Sequence, residues 1–398
     1  MLLEWSRLVA EKSGGRVLIS SPLSVVRQTV KEATKFGVGN VTSCRSMDDV
    51  TDGINITNYE MMEHFELSHF TGVVLDESSI LKGYNSATTE FMIRNMQSVP
   101  YRLLCTATIC PNDYSEIGTS CAALGIMSRS EMLATYFVHD SGKTSEWRLK
   151  NAGKTRFWEW MATWAMYFEN PKELGYNVNG YDLPRLNIHT IVTKSELRDY
   201  EMFARVAETL EERREARKES MEERTDRAAD MANDSDDTWL MWVDYNDEST
   251  MLHKKTRESV EIKGSDLPEV KADASLNFAD GKIHALISKS SIFGFGSNFQ
   301  STHNMIFCGL SDSYERFYQA VRRCWRFGQT KDVDVYIILS EREMSVLENI
   351  QRKQRQMDEM QKQMTSLMRD VMLSEIQHTT RIVNHYEPKE RMEMPSWI

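Results

Sequence analysis

At 398 residues the chain is long enough for two domains of ordinary size plus appendages. Its 41% hydrophobic and 27% charged residues are typical of a soluble globular protein, and it shows no bilayer-length apolar run and no secretory signal. The net charge of −11 offers no general cationic excess for nucleic acid. Six cysteines without a CxxC pair and nine histidines without HExxH argue against a zinc site or disulfide framework and favour a reducing cytoplasm.

The first part of the sequence alternates strand and helix patterns. Residues 1–12 have apolar positions at helical spacing, and residues 16–37 predict a strand, a turn and a helix with Pro22 in its first turn. GINITNYEMM repeats this pattern. VVLDESS then predicts a buried strand that ends in the carboxylates Asp76 and Glu77. An acidic pair at this place is also common as a helix cap, so on its own it does not indicate a site.

The middle of the sequence has a different character. From residue 124 to 194 we predict a helical insertion, in which four tryptophans crowd together: Trp147, Trp158, Trp160 and Trp164. Aromatic residues at this density favour a core over a platform for stacked bases. Residues 195–236 predict one long, charged, solvated helix and a linker, because oppositely charged residues recur at i,i+4 spacing with few apolar ones.

The last part of the sequence predicts a second domain and a C-terminal appendage. Residues 237–340 alternate short strands with helices, which implies a parallel sheet with right-handed crossovers. Residues 341–398 predict a long helix rich in methionine and glutamine, followed by a tail. Methionine-rich faces adapt to irregular surfaces, so this helix either packs back on the domains or docks another protein.

The segment QAVRRCWRFGQ, Gln319 to Gln329, places two arginines three residues apart. On the helix predicted to begin in SDSYERFY, Arg323 and Arg326 share one face. The strand that follows puts them at the edge of an α/β sheet, where phosphates bind. An isolated RRxxR is more often part of a solvated amphipathic helix, so the arginines acquire a functional meaning only from the rest of the chain.

Four segments in one order carry a family resemblance: VVLDESS, LLCTATICPND, ISKSSIFGFGSNFQ and QAVRRCWRFGQ. They resemble the motifs of superfamily-two helicase motors, most of all those of the Swi/Snf branch and of helicase-like proteins of bacteriophages. The resemblance implies an α/β fold of two RecA-like domains with parallel sheets, at residues 1–123 and 237–340. Such motors hold nucleic acid in a groove by main-chain amides, hydroxyls and a few cations, so an acidic overall charge does not exclude them.

The resemblance also implies ATP and Mg²⁺ as cofactors and assigns roles to residues at the cleft between the domains. Asp76 would hold the Mg²⁺, and Glu77 would act as the base that orients the attacking water. Arg323 and Arg326 would stabilise charge on the γ-phosphate. Three further residues would contact the nucleotide, and these are Gly294, Gly296 and Gln319.

Nine residues at predicted strand ends would contact nucleic acid, with double-stranded or branched DNA expected rather than RNA. They are Ser21, Pro22, Thr57, Asn58, Tyr59, Thr106, Thr108, Ser288 and Lys289. Hydroxyl residues at strand ends are otherwise ordinary features of βα turns. The C-terminal helix would be the docking element for a replication or recombination protein.

One departure from the family is the absence of a G-x-G-K-S/T phosphate-binding loop anywhere in the sequence. We therefore expect the first domain to lack its first strand and this loop, and an upstream polypeptide to supply them. Three readings follow: an ATP-driven DNA translocase, a motor remnant that binds DNA or a partner without turnover, and an unrelated two-domain nucleotidyl enzyme. The third would have to produce four helicase-like motifs in order by chance.

Overall fold

The computed structural model describes residues 1–39, 41–110, 113–140, 143–168, 170–174, 176, 181–194, 206–207, 209–293 and 298–376. In these ranges the chain forms two parallel sheets with helices packed around them, and one two-stranded hairpin. The α/β fold with two parallel sheets that the sequence predicts is therefore present. None of the described helices is both long and apolar enough to cross a membrane.

A five-stranded sheet forms the first domain. Its elements are α1 (Leu2–Ser13), β1 (Val17–Ser21), α2 (Leu23–Lys35), β2 (Val41–Ser43), β3 (Ile54–Asn58), β4 (Gly72–Asp76), α3 (Ala87–Asn95), β5 (Tyr101–Cys105) and α4 (Ile117–Leu124). The strand order is β2-β3-β1-β4-β5, and every pairing is parallel. β1 and β4 are almost wholly buried, as expected for β-branched strands covered on both faces. Among the described residues β5 pairs with β4 alone, and none of its residues is fully buried.

The region predicted as a helical insertion also contains strands. It comprises α5 (Arg129–Tyr136), β6 (Phe137–Asp140), β7 (Lys143–Leu149), α6 (Lys154–Ala162) and β8 (Leu186–Thr193). The first two strands form an antiparallel hairpin in which Phe137 lies opposite Leu149, and both side chains are buried. Burial of this cross-strand pair stabilises the hairpin, and the helical prediction is therefore wrong for residues 137–140 and 143–149.

A six-stranded sheet forms the second domain. Its remaining elements are α7 (Leu210–Glu219), α8 (Met221–Asn233), β9 (Trp239–Val243), α9 (Asn246–Lys255), β10 (Ser259–Ile262), α10 (Pro268–Ala279), β11 (Ala285–Lys289), α11 (Ser290–Phe293), β12 (Asn304–Cys308), α12 (Tyr314–Val321), β13 (Val333–Ser340) and α13 (Met344–Ile376). The order is β10-β11-β9-β12-β13-β8, again parallel throughout. β8 thus extends the second sheet, pairing with β13 over eight residues.

The aromatic region and the C-terminal helix pack into the core of the second domain. Trp158 is buried in that core, and the three other tryptophans of the region are partly buried against it. From α13, Met357, Met360 and Met364 are buried in the same cluster. The Tyr114 hydroxyl donates to the carbonyl oxygen of Gln356 at 3.1 Å. The described part of the methionine-rich helix therefore packs back on the domains, while residues 377–398 lie outside the described ranges.

The predicted long solvated helix is replaced by α7 and α8, which meet at Ser220 and bury two arginines. Arg217 is bonded to Asp244 at 2.9 Å. Arg224 donates to Glu248 at 2.6 Å and lies 3.4 Å from Glu343, and all three side chains of this group are completely buried. Two of the charged residues that led to the prediction of a solvated helix therefore form ion pairs in the protein interior. Residues 195–205 and 208 lie outside the described ranges.

We expect Arg224→Ala to destabilise the second domain by about 3–5 kcal/mol, because it leaves the buried carboxylate of Glu248 without its cationic partner and removes one of the two arginines beside Glu343. The measurement is the denaturant midpoint of the protein's unfolding. Arg257→Ala is the matched control, because Arg257 pairs with the fully exposed Asp236 and such surface pairs contribute little. Equal midpoints for the two variants would contradict a stabilising role for the buried group.

Candidate active site between the two domains

The acidic pair predicted from the sequence lies at the carboxyl end of β4, an interior strand of the first sheet between β1 and β5. Asp76 is its last residue, and its carbonyl oxygen accepts a hydrogen bond from the Tyr59 hydroxyl at 2.6 Å. Glu77 follows with φ of 57°, in the left-handed region that a residue with a Cβ rarely adopts. Such a conformation costs on the order of 1–3 kcal/mol and is concentrated at functional sites.

The Glu77 carboxylate is held from three directions. Its Oε1 accepts from Ser79 Oγ at 2.9 Å, within the same loop, and from Thr106 Oγ1 at 2.7 Å, just beyond the end of β5. Its Oε2 accepts from Gln319 Nε2 at 3.0 Å, and Gln319 belongs to α12 of the second domain. Glu77 is therefore a point at which the two domains meet.

Gln319 links Glu77 to the arginine segment. Arg323 Nε donates to the Gln319 carbonyl oxygen at 2.9 Å, and an Arg323 Nη donates to Gln319 Oε1 at 3.1 Å. The side chains of Glu77, Gln319 and Arg323 form a continuous chain across the cleft, which we call the interdomain chain. α12 ends at Val321, so Arg323 and Arg326 lie in the turns after the helix, and their predicted place on a helical face is wrong.

The two arginines are partly buried cations in close proximity. Burial, followed by the neighbouring charge of Arg326, lowers the pKa of Arg323 to about 10. The pKa of Arg326 is also lowered, first by burial and then by Arg322, while the carboxylate of Glu32 on α2 opposes this. Both groups remain charged at neutral pH. A bound anion would relieve their repulsion, so the position suits an anionic ligand.

A cavity of about 380 Å³ adjoins the acidic strand end. It is lined by the first turn of α1, one face of α2 and Asp76. Among the described residues no group of three or more His, Cys, Asp or Glu side chains could hold a metal ion. Mg²⁺ is commonly held by one or two carboxylates together with substrate phosphates, so a lone Asp76 at a cavity fits Mg²⁺ delivered with a nucleotide.

The burial of the Asp76 carboxyl is expected to make the free energy of unfolding depend on pH. Burial, followed by the charge of Glu77, raises its pKa to about 6. The folded protein therefore binds this proton more tightly than the unfolded chain, whose carboxyl pKa is about 4, and this contribution to stability is lost as the pH rises from 4 through 6. We expect Asp76→Asn to gain about 1–2 kcal/mol relative to wild type between pH 4 and pH 7. Urea unfolding at both values measures it; a pH-independent difference would contradict the assignment.

The sequence analysis missed a second contact across the cleft. Lys82, in the loop after the acidic pair, forms an ion pair with Glu315 on α12, and the Glu315 side chain is only 6% exposed. The pKa of Lys82 is lowered, chiefly by burial. No sequence motif marks either residue, because their pairing depends on how the domains approach each other. The pair lies beside the interdomain chain and fixes α12 against the first domain.

The hydroxyl residues predicted to contact nucleic acid are mostly turned inward. Ser21, Thr57 and Thr108 are buried, and the hydroxyls of Thr57 and Thr108 have no hydrogen-bond partner within the described ranges. Ser288 is buried and donates to the Ile262 carbonyl oxygen at 2.9 Å. Tyr59 is 7% exposed and supports Asp76. In this conformation these side chains support the strand ends.

The remaining predicted residues lie in different places. Pro22, Asn58 and Lys289 are half-buried at the carboxyl ends of β1, β3 and β11. Thr106, assigned to the nucleic-acid groove by resemblance, is bonded to Glu77 and so belongs to the interdomain site. Gly294 and Gly296 lie outside the described residues. The structure thus brings together Asp76, Glu77, Gln319, Arg323 and Arg326, and adds Thr106 to them.

Comparison with known proteins gives a family for part of the chain. Residues 223–328, which include the arginine segment, match the helicase conserved C-terminal domain. A search of curated proteins found no match to the sequence.

The helicase-like chain also resembles solved helicase structures. A variant of Saccharomyces cerevisiae Dbp5 bound to RNA and ADP-BeF3 is 14% identical, with 92% of this chain and 84% of that chain covered and a TM-score of 0.51. The DUF1998 helicase MrfA bound to DNA is 11% identical, with 87% and 46% covered and a TM-score of 0.54. The chain thus spans somewhat less than half of MrfA. These likenesses show the fold, a pair of RecA-like domains.

Proposed function

We propose that the chain is the core of a nucleic-acid-stimulated ATPase that moves along DNA, with ATP hydrolysed in the cleft between its two domains. The observation that carries the proposal is the interdomain chain. It joins a carboxylate at the end of a first-domain strand to an arginine of the helicase C-terminal domain through one glutamine. Phosphoryl transfer depends on positioning and on stabilisation of developing charge, and these residues supply both kinds of group.

The proposed roles follow from the contacts. Asp76 would hold Mg²⁺, which would supply positive charge to the phosphates of a bound nucleotide. Glu77, fixed by Thr106 and Ser79, orients water and accepts its proton. Arg323 and Arg326 approach the γ-phosphate when ATP replaces the Gln319 contact to Glu77, and they stabilise the charge that develops there.

The nucleic-acid assignment rests on the motifs and on the fold. Dbp5 is bound to RNA and MrfA to DNA in the structures that this chain resembles. We propose double-stranded or branched DNA, in line with the Swi/Snf-like and bacteriophage-like form of QAVRRCWRFGQ. All six cysteines are free thiols, which supports action in a reducing cytoplasm. A replication or recombination protein remains the proposed partner of the C-terminal region.

The proposal requires a phosphate-binding loop, and no G-x-G-K-S/T motif occurs in the 398 residues. We propose that another polypeptide segment supplies it, together with a strand that pairs with β5. The support is the position and burial of β5. Among the described residues β5 is an edge strand, and its Leu103 and Leu104 are only half-buried. An added strand would satisfy the free backbone groups of this edge.

The absence of the loop favours one alternative function. A chain that cannot position the β- and γ-phosphates would act as a binding module, holding DNA or a partner protein without turnover. The folded second domain and the ion pair between Lys82 and Glu315 would suffice for such a role. The two functions differ in whether any form of the protein hydrolyses ATP.

DNA-stimulated ATP hydrolysis distinguishes the motor from the binding module. We expect the 398-residue chain to fold but to turn over little ATP, and the chain joined to a strand and a G-x-G-K-S/T loop to turn over ATP readily, because phosphate positioning supplies most of the catalysis. The control is the extended chain with the loop lysine replaced by alanine. Equal activity with and without the loop would contradict the role given to it, and inactivity of every form would establish the binding module.

A further inference from the structure

A second cavity of about 380 Å³ lies on the second domain and shares no lining residue with the interdomain chain. Four of its lining residues are arginines: Arg213, Arg214, Arg217 and Arg316. Asp312 is the one acidic side chain among the lining residues. We call this cavity the arginine pocket. Its lining carries a formal charge of +3, in a protein whose net charge is −11.

The fold places the arginine pocket at the carboxyl ends of two adjacent strands. β9 and β12 are neighbours in the second sheet, and the loop after β12 contributes Ser311 and Ser313. α7 supplies three of the arginines, and the first turn of α12 supplies Arg316. In open α/β sheets, ligands bind outside the carboxyl ends of the strands. The position is therefore one at which the fold presents groups to a ligand.

Two arginines of the pocket are held in place by the protein. Arg217 donates to Asp244 at 2.9 Å and lies 3.4 Å from Glu343. Arg213 donates from one Nη to Asp312 at 2.6 Å, while its buried Nε has no partner within the described ranges. A buried donor without a partner is uncommon in native proteins and calls for a ligand or water.

The other two arginines are available. Arg214 and Arg316 are exposed, and neither forms an ion pair with another described residue. Ser313 caps α12, because its hydroxyl accepts from the Arg316 backbone N–H at 3.3 Å. The positive end of the α12 dipole thus lies at the same cavity. A pocket with two held cations, two exposed ones and a helix amino end suits an anion.

We propose that the arginine pocket binds a phosphate group, either a backbone phosphate of a nucleic acid or a free phosphate ion. The planar arginine fork matches phosphate oxygens in paired hydrogen bonds, which a lysine-lined surface would not provide. The Ser311 hydroxyl adds a further donor. This site is separate from the nucleotide cleft and does not rest on ATP hydrolysis by the chain.

The test uses the full chain with two exposed arginines removed together, Arg214→Ala and Arg316→Ala. The matched control is Arg257→Ala with Lys282→Ala, which removes two exposed cations just before β10 and β11, at the opposite edge of the same sheet. Both double variants change the charge equally, and both replace surface residues. Circular dichroism verifies that each is folded.

The first arm measures binding of a fluorescein-labelled single-stranded DNA by anisotropy at several salt concentrations. We expect the pocket variant to bind the DNA at least fivefold more weakly. The slope of log K against log salt should fall by about one to two, because a protein that neutralises fewer phosphates releases fewer counterions when it binds. The second arm measures thermal stabilisation by inorganic phosphate against chloride at equal ionic strength, which the pocket variant should lose.

The two arms separate the sources of the phosphate. Loss of DNA affinity identifies a backbone phosphate, and loss of phosphate stabilisation alone identifies the free ion; either result supports the pocket. The proposal is overturned if the pocket variant matches wild type in both arms, or if the control variant loses as much. Failure of ATP turnover would contradict the proposed function but would leave both arms interpretable.

Discussion

Replacing Arg323 with alanine is expected to slow nucleic-acid-stimulated ATP hydrolysis on the order of a thousandfold while leaving ATP affinity nearly unchanged. Arg323 is linked through Gln319 to Glu77 of the other domain, so its guanidinium is expected to act when the domains close. Lysine is not expected to restore activity, because it lacks the planar fork that contacts two oxygens at once. The measurement is single-turnover hydrolysis in the form of the protein that carries the phosphate loop, with ATP affinity measured separately.

The neighbouring Arg322 provides a matched control for Arg323. Its guanidinium lies over the rings of Tyr318 and Trp325, at 6.0 and 5.2 Å from their centroids. Arg322→Ala therefore removes a cation from the same turn without touching the interdomain chain, and hydrolysis should remain close to wild type. Should Arg323→Ala hydrolyse ATP normally yet unfold more easily, Arg323 is a structural residue and the catalytic assignment fails.

The second large effect is expected for Glu77→Gln, which should abolish hydrolysis and spare nucleotide binding. Glutamine keeps the size of the side chain and can still accept from Thr106 or Gln319, but a carboxamide cannot take a proton from water. A fall of at least a hundredfold in the single-turnover rate is expected, because general base catalysis contributes about 10²–10⁴-fold. Fluorescent-nucleotide binding measures the affinity that should persist.

The control for Glu77 is Glu60→Gln, a carboxylate at the end of β3 that is exposed and bonded to Asn58. It lies outside the interdomain chain, so its removal should not change the rate. A wild-type rate for Glu77→Gln would assign the base to another residue. A Glu77→Gln protein that binds neither nucleotide nor DNA would instead indicate that the carboxylate holds the domains together.

Much of the fold could be predicted from residue patterns. The run Val73–Leu75 is apolar and largely β-branched, so it predicts a buried strand, and β4 is a buried interior strand of the first sheet. The hairpin of β6 and β7 could not be predicted in this way, because its pairing depends on Phe137 and Leu149 meeting in a core shared with distant helices. The pairing of β8 with β13 could not be predicted either, because the two strands are far apart in the sequence.

The candidate site was predictable only in part. Asp76 and Glu77 follow a recognisable strand, and Arg323 lies in a recognisable motif, so local sequence is enough to select them. Thr106 gives no signal of its contact with Glu77, because β5 must first pair beside β4. The inward orientation of Tyr59 and the burial of Arg224 likewise follow from tertiary packing. A charged residue in a charged helix predicts solvent exposure, and the buried carboxylates of Glu248 and Glu343 reverse that expectation for Arg224.

Photolabelling tests most directly whether the γ-phosphate lies between Glu77 and Arg323. The γ-azidoanilide of ATP, irradiated with the loop-bearing protein and DNA, places its reactive group at the end of the phosphate chain. Labelled peptides are then located by mass spectrometry, with excess ATP as competitor. Our account predicts label on both sides of the cleft, in the peptide that contains Glu77 and in the peptide that contains Arg323, and suppression of both by ATP. Label confined to one domain, or found only at the arginine pocket, would contradict it.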